Sequence, residues 1–309
     1  MTNVEHGMIA VDKMGTKVLF LNPQTYTTEV VLDGFLRTVH VLLVVPETGF
    51  AYVPIFGDGI HGRNPNPQHH VCVFDLHRRA LAATIDTFPY IAPHTLKLGP
   101  DGLIYIICEN SAVVAVIDPA KNKVVDAIDT GSTNGHRLII APDGERLYVE
   151  NEEDATVSVI DLPRRKLLGK IATPRALAGI AISADGRTVI AVDDEQPTLF
   201  LIDTEKGEVR EEVPLKDVPK PAQIARFAPD FGLLAVSSVA GDTVSLIEPS
   251  FVGQTAIKVG SQPMDMAFRG DELFVGCQGD GSVHIIDIPG KRHKARFSAG
   301  TGCESLGFF

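Results

Sequence analysis

His40, His94 and His136 each head a short run of alternating apolar residues at the same point of a repeating pattern, and Glu304 occupies that point in the last run of the chain. The corresponding positions elsewhere are Ala178, Gln223 and Met264. Three imidazoles and a carboxylate form a donor set suited to a divalent transition ion, Fe(II), Zn(II), Mn(II) or Ni(II), because neutral nitrogen and carboxylate oxygen are borderline-to-hard donors. A single histidine sharing strand parity with Leu42, Leu96 or Leu138 is ordinarily a packing residue. Three in register beside an acid are better read as a metal site, since a purely structural role would favour all the repeats alike.

Further groups belong to loops expected on the same face. The segment 57–69 carries His61, Arg63 and His69 among Gly, Pro and Asn residues, so it reads as a true loop, and its His61 and Arg63 are candidates for acid-base work or substrate clamping. Glu109 and Glu150 directly follow runs with the pattern of buried strands and are the other candidate catalytic residues, able to orient imidazoles. Asp12, Lys13, Asn110, Asn151, Glu152, Asp193 and Asp194 lie in equivalent loops, where surface acidity accounts for most of them. Cys303 adjoins Glu304 and is expected to face a channel, whereas Cys108 and Cys277 read as buried, inert thiols. A Gly-x-Ser-x-Gly elbow, a Walker loop and a dinucleotide fingerprint are missing, which leaves serine nucleophile chemistry without support.

Ligands so far apart in sequence meet only if the chain folds back on itself regularly. A short apolar run ending in an acid recurs at Val71–Asp75, Val114–Asp118, Val157–Asp161, Leu199–Asp203, Val244–Glu248 and Val283–Asp287, with steps of 43, 43, 42, 45 and 39 residues. A further copy, Val18–Asn22, precedes the first of these by 53 residues, which puts an insertion in the second repeat. Turn sequences keep the same register: Gly99–Gly102, Ala141–Gly144, Ser183–Gly186 and Ala228–Asp230. Their Pro-Asp-Gly chemistry belongs to a tight connection between two strands. Each repeat therefore reads as four short strands, one blade of a β-propeller.

Residues 1–309 are accordingly expected to form a single all-β domain, a seven-bladed β-propeller of four-stranded antiparallel blades. Residues 8–31 supply three strands and Ser305–Phe309 supplies one, so the first blade is closed by the N- and C-terminal strands together, leaving no open edge. In a propeller the loops entering the innermost strands share a face, which would place the aligned histidines and Glu304 at one mouth of the central channel.

The runs Gly144–Asn151 and Ala155–Asp161, with Asn134–Gly144 before them, resemble the repeat of the YVTN family of seven-bladed propellers. That resemblance implies the propeller fold over nearly the whole chain. For activity it implies a range, because the family and its lactonase-like relatives include enzymes, redox subunits and proteins of unknown role.

The formal net charge of −11, with basic residues dispersed, offers no phosphate-backbone footprint, so nucleic acid is excluded as an expected partner. No apolar stretch approaches membrane-spanning length, and the N-terminal residues lack a basic start followed by an apolar run. The expected location is the cytoplasm, or the periplasm if an export signal has been removed. Four cysteines without close pairing make neither a zinc knuckle nor a disulfide framework. The functional expectation is a metal-dependent enzyme acting on a small organic substrate at the channel mouth, a lyase or hydrolase in the first place, with oxygen-dependent chemistry left open. The alternatives are a non-enzymatic scaffold that binds a protein, peptide or polymer, and a subunit supporting a quinone or haem partner, which the absence of a haem-attachment cysteine pair disfavours.

Overall fold

The computed structural model describes residues 7–35, 38–59, 62–230 and 232–309. Seven antiparallel sheets follow one another along the chain, and the first is built from both ends: Cys303–Phe308, Met8–Asp12, Lys17–Leu21 and Thr28–Leu32. This is the seven-bladed propeller expected from the repeat, closed as expected. The blades of the site are the second (Thr38–Val39 and Leu43–Val45, Phe50–Gly57, His70–Asp75, Ala80–Asp86), the third (Pro93–Leu98, Ile104–Cys108, Val113–Asp118, Lys123–Asp129) and the fourth (Gly135–Ile140, Arg146–Asn151, Thr156–Asp161, Lys166–Ala172). In the second blade the innermost strand is interrupted at residues 40–42, so both short pieces pair with Phe50–Gly57.

Burial varies systematically across a blade. Second strands such as Ile104–Cys108 and Thr188–Asp193 are buried along their whole length, while outer strands such as Arg292–Ser298 are largely exposed. Second strands are sandwiched between neighbouring blades and so read as continuous apolar runs, not as alternation. The core is a ring of interblade clusters, one of which joins Met8, Leu21, Phe274 and Leu306 across the closure.

The recurrent acid ending each third strand has a local cause. Asp75 Oδ1 accepts from the backbone N–H groups of His77 and Arg78 at 3.0 and 2.9 Å, and Asp203 Oδ1 does the same for Glu205 and Lys206 at 3.0 Å. The carboxylate thus satisfies turn donors that would otherwise lack partners. Ring closure relies on Asp12, 1% exposed, whose carboxylate accepts from the backbone N–H of Gly15, Thr301 and Gly302 at 2.9, 3.0 and 2.8 Å.

Candidate metal centre

Five of the innermost strands share one irregularity. In the fourth blade Gly135 pairs with Asn151 and Arg137 with Glu150, which leaves His136 as an extra residue. In the third, Pro93 pairs with Cys108 and Leu96 with Ile106, so His94 and Thr95 oppose one residue. The same offset leaves Glu304 unpaired between Cys303 and Ser305, Ala178 between Leu177 and Gly179, and Met264 between Pro263 and Asp265. A β-bulge re-aims the extra side chain and bends its strand. The repeat register thus singled out the bulge positions. His40 is positioned differently, at the interruption of the second blade's inner strand, with its N–H donating to Pro54 O at 3.1 Å.

These residues form a chain across neighbouring blades. Glu304 Oε1 lies 3.2 Å from His40 Nδ1. The His40 and His94 rings meet edge to face at 4.3 Å between centroids, and those of His94 and His136 lie tilted at 4.5 Å. Phe56 packs beside them, 5.2 Å from His40 and 5.6 Å from His94. His40, His94, His136 and Glu304 are all buried.

The acids divide between two positions. Glu109, which opens a single 3-10 turn (Glu109–Ser111) after the second strand of the third blade, sets Oε1 3.9 Å from Nε2 of both His94 and His136. His94, Glu109 and His136 each offer a ligand atom within 4.8 Å of the others. Glu150 Oε1 and Glu152 Oε2 lie behind, 3.0 and 2.9 Å from His136 Nδ1. Glu304 is occupied elsewhere, with Lys13 Nζ at 3.5 Å and Gln278 Nε2 donating to Oε2 at 2.7 Å. The carboxylate facing two Nε2 atoms is therefore that of Glu109, while Glu304 orients His40.

The surroundings tune the charges. Burial, reinforced by the ammonium of Lys13, lowers His40 to about 4. Burial and the adjoining His40 and His136 hold His94 well below the usual imidazole range. Burial also opposes charge on His136, but Glu150 and Glu152 overcome it and raise that imidazole to about 10. Burial pushes Glu150 up. For Glu304 burial acts upward too, and Lys13 and His40 outweigh it, bringing the carboxyl to about 2.

The remaining candidates are more scattered. His61 lies outside the described residues. Arg63 is exposed in the 57–69 loop, and the loop reaches the fourth blade: a Cβ placed on Gly62 would stand 2.9 Å from Glu153 Oε1. His69 is turned away, with Nδ1 2.7 Å from Asp86 Oδ1 on its own blade's outer strand. Cys303 does not face the channel; it is fully buried in the cluster that joins the seventh and first blades, because the bulge at Glu304 turns its neighbour into the core. All four cysteines are free and buried, and burial raises their thiols. Sequence reasoning passed over Glu152 and Lys13 as loop charges, and gave no role to Lys97, Arg137, Arg226 and Asp265, which line the channel. A signal for Arg137 and Asp265 was present, since each directly follows a bulge residue.

The profile of a family described as the cytochrome D1 heme domain matches residues 98–238, less than half of the chain. No curated protein sequence matches. Among solved structures, the Kuenenia stuttgartiensis hydrazine synthase is 19% identical over 86% of this chain and 88% of that one, with a TM-score of 0.73. A functionally unknown protein from Desulfotomaculum acetoxidans is 10% identical over 98% of both chains, with a TM-score of 0.78. These likenesses support the seven-bladed propeller; they do not carry the YVTN family assignment.

The family similarity raises haem as a cofactor, and the residues at the mouth fit it poorly. A macrocycle needs an open slot that admits its plane, with at least one axial donor facing that plane. Here the three imidazoles pack against one another at 4.3 and 4.5 Å, and the donors of His94, His136 and Glu109 converge on one point. That arrangement suits a single ion.

Proposed function

We propose that the protein is a metal-dependent enzyme acting on a small organic substrate, with a divalent transition ion held by His40, His94, His136 and Glu109. One observation carries this reading: Nδ1 of His136 and of His40 faces a carboxylate and Nδ1 of His94 lies 2.9 Å from Thr95 Oγ1, while the Nε2 atoms of His94 and His136 both stand 3.9 Å from Glu109 Oε1. Histidine ligands are commonly oriented in this way by a carboxylate on the other nitrogen. An ion here would polarise a carbonyl or lower the pKa of a bound water, chemistry suited to a hydrolase or lyase. The chain's own part is to keep His40 and His94 neutral through burial, to hold the Nδ1 proton of His136 between Glu150 and Glu152, and to fix Glu304 through Lys13 and Gln278.

The cytochrome D1 similarity over residues 98–238 favours a second reading, a haem-related redox propeller. Elemental analysis and the visible spectrum of protein purified without a histidine tag separate the two. The first reading expects about one Fe, Zn, Mn or Ni per chain, lost in a His94→Ala/His136→Ala variant, with no Soret band. Protein with less than a tenth of an ion per chain after metal-supplemented growth overturns it, and a Soret band favours the second.

A further inference from the structure

Beneath the histidines the channel changes character. Arg137, placed in the lumen by the bulge at His136, is joined there by Lys97 and Arg226 from the inner strands of the third and sixth blades. A cavity of about 340 Å³ opens from these cations toward the face of the Pro-Asp turns, with Ile139, Ile180, Ile182 and Phe227 in its walls. Two carboxylates line this part of the wall with the three cations: Asp265 is committed to Arg226 at 2.6 Å and to the hydroxyl of Ser305, and Glu304 is engaged by Lys13, His40 and Gln278. Arg137 Nε donates to Ala178 O at 3.2 Å. Lys97 makes no hydrogen bond or ion pair with a described residue, and burial together with Arg226 lowers its ammonium to about 8.

Excess positive charge in a half-apolar recess, in a chain of net charge −11, is a feature that needs an occupant to balance it. We propose that this lumen is a binding site for a small organic anion, with a carboxylate head held between Lys97 and Arg137 and a short apolar body against the isoleucines. The combination of a few placed charges with an apolar wall is that of small-molecule sites generally. Nothing in it depends on an ion at the opposite mouth.

The test is a calorimetric titration of the full chain, kept in chelator, with hexanoate, acetate and hexanol at low ionic strength. Hexanoate should bind with one-to-one stoichiometry, at least about tenfold more tightly than acetate, because each added buried methylene favours binding. It should also bind at least about tenfold more tightly than hexanol, and more weakly as salt is raised. Lys97→Gln should weaken hexanoate at least about tenfold and Lys97→Arg should restore most of the affinity, while His94→Ala/His136→Ala leaves it unchanged. Equal binding of hexanol and hexanoate, undiminished binding in Lys97→Gln, or loss of binding only in the histidine variant each overturns the proposal, as does no binding at all. Loss in both Lys97 variants with unchanged melting temperature supports it through the geometry of the ammonium; loss with unfolding is resolved by Arg137→Gln, which must then weaken hexanoate at least about tenfold.

Discussion

His136 Nδ1 lies 3.0 Å from Glu150 Oε1, so the imidazole is gripped from behind and its Nε2 is left toward Glu109. Glu150 is fully buried, and its Oε2 has no hydrogen-bond partner among the described residues. A carboxylate placed so deep costs stability, offset only as far as the facing imidazole pairs with it. Replacing Glu150 by Gln keeps the volume and removes the charge. Metal affinity, measured by competition with a chromophoric chelator, is expected to fall about 10–100-fold. Gln variants of Glu150 and Glu152 that hold metal as tightly as the native chain would show that these acids do not orient a ligand.

Removing a ligand outright should do more. His94→Ala deletes the central imidazole, the one in contact with both neighbours, and Glu109→Gln removes the charge between two Nε2 atoms. Each is expected to reduce bound metal to below a tenth of an ion per chain by elemental analysis, whereas Glu304→Gln, one step further back, should retain a substantial fraction. A Glu304→Gln loss as severe as that of Glu109→Gln would reverse the roles assigned to the two acids.

Much of this was legible in the sequence because the propeller is periodic. Pro-Asp-Gly turns and acid-ended third strands recur for local hydrogen-bonding reasons, so the register they set carries from blade to blade, and it located His94, His136 and Glu304 at what proved to be bulges. Which carboxylate approaches which nitrogen was not legible. It depends on where a 3-10 turn puts Glu109 and on Lys13 drawing Glu304 aside, both matters of a few ångströms between distant segments. The lumen cations escaped for a related reason: strict alternation assigns Arg137 to the face opposite His136, and the bulge lets both line the channel.

Acid should weaken the site and the fold together. His40 titrates near 4 in the folded chain against an ordinary 6.5, so its neutral form is favoured by folding. The associated stability is present above pH 6.5 and is lost as pH falls from 6.5 through 4, a contribution on the order of 3 kcal/mol in the limit. Glu304, brought from 4.5 to about 2, acts lower still: its contribution is present above 4.5 and lost as pH falls through 2. In chelator, the melting temperature of the native chain should drop more steeply between pH 7 and 4.5 than that of His40→Gln. Parallel curves for the two proteins would remove His40 from the account.

Closure of the ring rests on few residues. Met8–Asp12 pairs with Cys303–Phe308, and Asp12 accepts the backbone N–H of Gly302 at 2.8 Å. Deleting residues 304–309 exposes the edge of Met8–Asp12 and removes Leu306 from the interblade cluster, which should abolish a cooperative thermal transition or lower it by more than about 10 °C. Asp12→Ala leaves buried N–H groups unpaired and should cost about 1–3 kcal/mol. An unchanged melting temperature in the truncated chain would mean that the ring does not close through these strands.

The 57–69 loop is the last element with a testable role. It leaves the buried strand Phe50–Gly57 with Asn64 Nδ2 donating to Phe56 O at 2.9 Å, and Phe56 is the ring that packs beside His40 and His94. From there it reaches Glu153, adjacent to the Glu152 that faces His136. A loop that joins two strands of the second blade and sets Gly62 beside the fourth blade's Glu153 is in the expected position for a cover over this mouth. Replacing residues 57–69 by Gly-Asn-Gly should change stability by no more than about 1 kcal/mol, since loop closure depends weakly on length. Without the cover, the rate at which chelator strips the ion should rise at least about tenfold. The single substitution Arg63→Ala, at an exposed side chain, should leave stability unaltered, and it separates a clamp on substrate from a cover over metal. Stripping at the native rate in the shortened chain would show that the loop does not close this mouth.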